Sequence, residues 1–371
     1  MSLKNLKNIL SYIMSAYFKD NKITIPEEYS HKIENCEKDS FYKEYHSAIL
    51  SCYFTGKKDP IHHEKLKNER RNEDDYRYMR PLYESCKNLK LHLVIFHDNL
   101  SKEFVKKYTT DRIIFRQTQL KTKMSINDER FIIYYEYLTK NPYENVFSSD
   151  ISDVVLTKNP FKLRKTFFTR PNIDQNKVKS ILSSKNMKDT LNNSDFKLEL
   201  EGNNVLTDAE ARNYLLNLRE EDHKKYSVPN LLFIGTNAIY DGYKTQTKQW
   251  FERRKDKVKQ FNEALFLYIP KYGEYKAGDF QMYNPGTMMA NYNTYMCFLK
   301  KFIKILLVCC KVRENNNWNM VIANYICHHF LKDNYDRDTF RTKYIYTGYP
   351  FNSVYQKKEK VSSSSCCVIH K

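Results

Sequence analysis

Apolar positions along the chain follow two periods. Leu6, Ile9, Leu10, Ile13 and Tyr17 recur at helical spacing and predict an amphipathic helix over Leu3 to Phe18. A polar stretch rich in Glu and Lys continues to about Tyr45. Short apolar runs then predict strands, each closed by turn chemistry. Ser47 to Phe54 ends at Thr55-Gly56, and Leu91 to His97 ends at Asp98. Arg112 to Arg116 is a third run, and Asn145 to Ser149 a fourth that ends at Asp150. Between them the period becomes helical. Charged residues Asp59 to Arg80 lead into a helix through Leu89, and Ser101 to Tyr108 is a short helix. Asn127 to Leu138 has a start signal: Ser125 or Asn127 as cap, with Asp128 and Glu129 in the first turn. Asn141-Pro142 ends it.

Alternation of strands and helices over this stretch predicts an α/β fold with a doubly wound, mainly parallel central sheet flanked by helices. Ligands of such sheets sit at the carboxyl ends of the strands, where Thr55, Asp98 and Asp150 fall. Val154 to Leu156 reads as a continuation of the fourth strand, and Asn159-Pro160 as a turn. The polar residues after Phe161, with a helix near Ala209 to Glu220, read as an insertion. Leu231 to Gly235 resumes the core as a strand. Helices are expected over Trp250 to Leu267, Asn293 to Val308 and Asn319 to Leu331. Lys343 to Tyr346 is a short strand, and Gly348 to Ser353 a loop. The expected organisation is an N-terminal helical extension (1–45), a nucleotide-binding half (46–161), the insertion (162–230), an acceptor-binding half (231–356) and a disordered tail (357–371).

Composition narrows the classes. With 371 residues, 41% hydrophobic and 29% charged, the chain is too apolar for disorder. Its longest apolar run, Phe298 to Cys310, is interrupted by Lys300, Lys301 and Lys304 and is too short to span a bilayer. No secretory leader is evident. A protein without a transmembrane segment, soluble and cytoplasmic, is expected. An odd number of cysteines (9) without a CxxC argues against a disulfide framework or zinc ribbon. The net charge of +18 favours an anionic ligand, although the Lys, Asn, Ile and Tyr bias also fits an AT-rich coding sequence. The 8 glycines cannot assemble a GxGxxG or a P-loop.

The chemistry concentrates in Phe147-Ser-Ser-Asp150-Ile-Ser-Asp153-Val-Val-Leu. Carboxylates three apart after a strand converge on one hard cation, magnesium or manganese, that leaves room for substrate phosphates. Alone, such a pair also serves as surface charge or a helix cap. Its context resembles the Asp-x-x-Asp segment of nucleotide-sugar glycosyltransferases with the GT-A fold. Ser51-Cys-Tyr-Phe-Thr-Gly-Lys-Lys-Asp59-Pro60 resembles that family's first strand and nucleotide loop, and Leu93-Val-Ile-Phe-His-Asp98 its second strand. Asn127-Asp128-Glu129-Arg130-Phe131 resembles the helix before the metal motif. Leu232-Phe-Ile-Gly235 and Asn284-Pro285-Gly286 resemble a later strand and the acceptor-side loop. Gly348-Tyr-Pro-Phe-Asn-Ser-Val-Tyr355 resembles a segment of algal and large-DNA-virus members.

The resemblance implies a metal-dependent transferase moving a hexosyl or pentosyl group from a UDP- or GDP-sugar to a hydroxyl acceptor, with no nucleic-acid partner. It implies Asp150 at the ribose or metal, Asp153 at the metal, and Arg130 at the diphosphate or Asp150. Thr55, Gly56 and Asp98 would hold the nucleoside, Asn284 and Gly286 would line the sugar pocket, and Asp279 is a candidate base. Two departures stand out. The family's C-terminal His ligand is missing from the Gly348 segment, and His328, His329 and His370 are expected to be non-ligands. Asn319 stands where relatives often carry an Asp. The rival readings are a sugar-nucleotide nucleotidyltransferase or pyrophosphorylase, for which Thr55-Gly56-Lys57-Lys58 is a poor loop, and a non-catalytic basic nucleic-acid-binding protein. Lys57 and Lys58 read as a solvated charge run.

Overall fold

A computed structural model of the chain describes residues 23–36, 41–57, 74–120, 122–162, 232–236, 252–276, 282–329, 345–346, 352–354 and 367–370. The helices expected over Leu3 to Phe18 and Ala209 to Glu220, the remainder of the insertion, and Asp279 lie outside these residues. The strands are β1 (Ser47–Tyr53), β2 (Leu93–His97), β3 (Ile113–Gln117), β4 (Asn145–Ser149), β5 (Val154–Leu156), β6 (Leu232–Thr236), β7 (Tyr283–Asn291), β8 (Ile345–Tyr346), β9 (Asn352–Val354) and β10 (Val368–His370). The principal helices are α1 (Tyr76–Asn88), α2 (Lys102–Tyr108), α3 (Ile126–Lys140), α4 (Lys255–Tyr268), α5 (Tyr292–Arg313) and α6 (Asn319–His329).

The expected α/β class is the one the chain adopts. The main sheet runs β3-β2-β1-β4-β7-β6-β8, with β3, β2, β1 and β4 mutually parallel. Strand side chains alternate between two apolar layers. Ala48 and Leu50 join a core with Phe131 and Tyr134 of α3, Phe302 of α5 and Ile322 of α6. Ile49 and Tyr53 face the other way, onto Met79 and Leu82 of α1 and Phe104 of α2. Both faces are thus covered, which is why β2 is buried at every position. Local start signals hold: the Ser125 side chain accepts from Asn127 N at 3.2 Å, so Ser125 caps α3. Among the described residues, no helix is long and apolar enough to cross a membrane.

Three expectations are corrected. Asn284-Pro285-Gly286 is not a loop before a helix but the start of β7, which runs antiparallel to both β4 and β6. Its pairing with β6 jumps from Ile234↔Met288 to Gly235↔Asn284. Pro285, Gly286 and Thr287 therefore bulge out of register, the setting in which a sheet accepts Pro and Gly. Val154 to Leu156 does not continue β4. After the turn at Asp150 it enters a second sheet of order β5-β10-β9. Residues 367–370 are not disordered: Val368, Ile369 and His370 are buried and pair with β5 on one side and β9 on the other.

Candidate metal centre

The site forms where the sheet reverses direction. β4 has parallel β1 on one side and antiparallel β7 on the other. Its carboxyl end is therefore brought against the β7 bulge. Ser51 Oγ donates to Ser149 O at 2.7 Å, and Asp150 N donates to Gly286 O at 2.8 Å. Asn284 Oδ1 accepts from Gly286 N at 2.8 Å and fixes the bulge. A Cβ at Gly286 would overlap Asp150 Oδ2 and stand 2.6 Å from His370 Cε1, so only glycine permits this close approach.

His370 is the finding the sequence reading missed. β10 runs antiparallel to β5 with His370 opposite Val154, which sets the imidazole beside Asp153. Its Nε2 lies 3.4 Å from Asp150 Oδ2 and 3.8 Å from Asp153 Oδ2. Ligand atoms of Asp150, Asp153 and His370 all fall within 4.8 Å of one another. His370, expected to lie in the tail as a non-ligand, thus stands beside both aspartates. The pairing of β10 with β5 spans most of the chain, and no local pattern announces it.

Charge around the site holds the Asp150 carboxylate ionised. The buried Arg130 guanidinium, carried on α3, pairs with Asp150 Oδ1. Burial works to raise the Asp150 pKa, but the Arg130 charge and the His370 hydrogen bond outweigh it and hold the carboxyl well below the usual range. For His370, burial pulls the pKa down while Asp150 and Asp153 push it up, and the carboxylates prevail. Beneath Arg130 lie Tyr134 and Cys52, whose thiol donates to Tyr134 Oη at 3.5 Å; burial drives the Cys52 thiol up to about 12.

The donor set suits a divalent cation. It offers carboxylate oxygens, which hard ions prefer, and one imidazole nitrogen, which the softer first-row ions prefer, so Mn2+ matches it better than Mg2+. Ligands on opposite sides of an ion with bonds near ~2.1 Å stand ~4.2 Å apart. The His370 Nε2 separations of 3.4 and 3.8 Å fall between that spacing and the ~3.0 Å of adjacent ligands.

Other expected site residues form a second cluster. Asp98, at the carboxyl end of β2, accepts from Thr55 N (2.9 Å), Gly56 N (2.6 Å) and Asn99 N (2.9 Å). The buried carboxylate thus fastens the turn after β1. Lys57 is not part of a solvated run: its ammonium pairs with the buried Glu129 carboxylate of α3 and donates to Met124 O at 3.2 Å. His31 Nε2 meets the same carboxylate at 2.8 Å. Asn319 starts α6, following Trp318, whose N–H donates to Asp128 Oδ2 at 2.8 Å. The α6 residue that reaches β7 is the fully buried Asn324, which clamps Tyr283 through N–H and C=O contacts of 2.9 Å each. His328 is occupied by Tyr275 Oη at 3.0 Å.

The arrangement defines a class: an α/β protein with an Asp-Asp-His group, of the kind that could hold a metal ion, at a sheet's direction change. No protein-family description matches the chain, and no curated protein matches it. Among solved structures it is similar to the galactosyltransferase LgtC in complex with donor and acceptor sugar analogues. The identity is 10%, with 87% of this chain and 86% of that chain covered and a TM-score of 0.37. An active-site mutant of LgtC gives 9% identity at the same coverage and TM-score. A likeness of that extent leaves the reading of the site to its own geometry.

Proposed function

We propose that the chain is a metal-dependent glycosyltransferase of GT-A type that moves a sugar from a nucleoside-diphosphate donor to a hydroxyl acceptor. The observation that carries this reading is the convergence of Asp150, Asp153 and His370 at the carboxyl end of β4. It gives the Asp-x-x-Asp motif the third donor that the resemblance requires and that the Gly348 segment lacks. A cation held there supplies charge neutralisation for a departing diphosphate.

The chain's own groups have separable roles in this reading. Asp153 and His370 bind, while Asp150 Oδ2 binds with its other oxygen tied to Arg130. Arg130 thereby positions Asp150 and keeps it anionic. Gly286 leaves the space for this approach. The Thr55-Gly56 turn, shaped by Asp98, offers the nucleoside a rigid wall on the same edge of the parallel sheet. Engagement of Lys57 with Glu129 counts against the nucleotidyltransferase reading, which needs a loop lysine directed at phosphate.

The test is a thermal-shift panel of UDP- and GDP-sugars with and without Mn2+, followed by a transfer assay. A ligand that binds the native state raises its melting temperature by mass action. The parent protein is expected to be stabilised by Mn2+ and further by one donor class. Asp153→Asn and His370→Ala are expected to remove the Mn2+ shift while keeping the metal-free melting temperature within a few degrees. Donor-dependent transfer retained in full by Asp153→Asn sinks the proposal.

A further inference from the structure

We infer that the carboxyl end of α4 is a docking surface for an anionic lipid bilayer. Phe266, Leu267 and Tyr268 are 76%, 61% and 42% exposed, and among the described residues no other large hydrophobic side chain is exposed. The same helix buries Phe261, Ala264 and Leu265 against the core. Its inward stripe is therefore complete without Phe266 and Leu267, which lie off that stripe. Among the described residues, three consecutive apolar side chains set in water serve no packing purpose, and such a patch marks a contact surface.

The chemistry around the patch selects the partner. Lys311 Nζ stands 4.8 Å from the Tyr268 ring centroid, and Lys304 Nζ stands 5.9 Å from the Tyr272 ring. Two turns apart on α5, these lysines share one face. Lys259 is exposed one heptad before Phe266, and Lys276 is exposed beyond Tyr272. The acidic residues nearest these lysines along the chain are Asp256 and Glu263 on α4, Glu314 one turn beyond Lys311, and Glu274, the last within 3.8 Å of Lys276. The cations that stand directly over the rings of this aromatic–aliphatic tip are Lys304 and Lys311. This is the composition of an interfacial anchor: rings enter the acyl boundary while lysines reach the headgroups. The chain's net charge of +18 adds long-range attraction to an acidic leaflet. A second copy of this face would instead bring Lys304 and Lys311 against like charge.

The experiment is co-sedimentation of the full chain with vesicles of phosphatidylcholine alone and with added phosphatidylserine, at low and high salt. Binding to the anionic vesicles is expected at low salt and is expected to fall sharply at high salt. The pair Phe266→Ser and Leu267→Ser should weaken it about tenfold or more, with an unchanged melting temperature. Lys304→Glu with Lys311→Glu should weaken it similarly. Absence of binding to anionic vesicles overturns the inference. So does undiminished binding by the serine variant, or a serine variant whose only effect is on the oligomeric state seen by light scattering. The test reads lipid alone and is indifferent to whether the metal site transfers sugars.

Discussion

Replacing Gly286 by alanine probes the site at its tightest point. The added Cβ stands 2.6 Å from His370 Cε1 and 3.0 Å from Asn284 Oδ1, and overlaps Asp150 Oδ2. Carbon pairs rest at ~3.5 Å or more, so the imidazole must move by about 3.5 − 2.6 = 0.9 Å. Neither ligand has an easy route of retreat. β10 is paired on both sides, and Asp150 is held by Arg130 and by Gly286 O. Metal sites tolerate about ±0.2 Å in ligand distance. Gly286→Ala is therefore expected to weaken Mn2+ binding by about tenfold to a hundredfold, the range seen when supporting contacts around a metal are lost. Overpacking should also lower stability by about 1–3 kcal/mol. Calorimetric titration with Mn2+ beside a urea melt measures both. Parent affinity together with a stability change under ~0.5 kcal/mol would refute the reasoning.

Two further substitutions test the surroundings. Asn324→Ala removes the buried side chain that meets both the Tyr283 main-chain N–H and C=O, so a loss of about 1–3 kcal/mol is expected in a urea melt, with weaker Mn2+ binding through the loosened β7 bulge. Asn324→Asp retains the acceptor but not the donor, and should fall between the two. Asp128 reports on pH. Burial drives its carboxyl up to about 7, against the opposing pull of the Trp318 N–H and Lys257. Its folded pKa is raised, so its contribution is full below the unfolded value near ~4 and is lost as pH rises through about 7. Asp128→Asn keeps an acceptor for Trp318 N and should gain roughly 2–3 kcal/mol relative to the parent between pH 5 and pH 8. Parallel stability curves for the two proteins would contradict this.

The parallel half of the sheet was legible because β1 to β4 are short apolar runs closed by Thr55-Gly56, Asp98 and Asp150, and turn residues punctuate buried strands reliably. The Asp-x-x-Asp pair was legible for the same reason, lying where a central strand stops. β7 was hidden because Pro285 and Gly286 forbid regular pairing, and only the bulge against β6 reconciles them with a strand. His370 was hidden because Val368-Ile369-His370 is too short to show a period and follows a serine run. What orders it is partnership with β5, a contact no local window contains. Lys57 misled because a lysine pair beside a turn looks solvated, whereas a buried glutamate on α3 draws the first one inward. Asn319 was chosen by position in α6, yet the helix presents Asn324, one and a half turns later, to β7.

The antiparallel strand carrying His370 has a consequence for how the protein comes into being. The imidazole is encoded more than two hundred positions after the aspartates it meets, so a growing polypeptide can complete its parallel sheet long before the centre is whole. Chains halted during synthesis, or clipped just ahead of Val368, would carry the parallel sheet and both aspartates but lack the strand that joins β5 to β9 and the imidazole it delivers. Late closure of this kind separates formation of the parallel sheet from assembly of the Asp-Asp-His group.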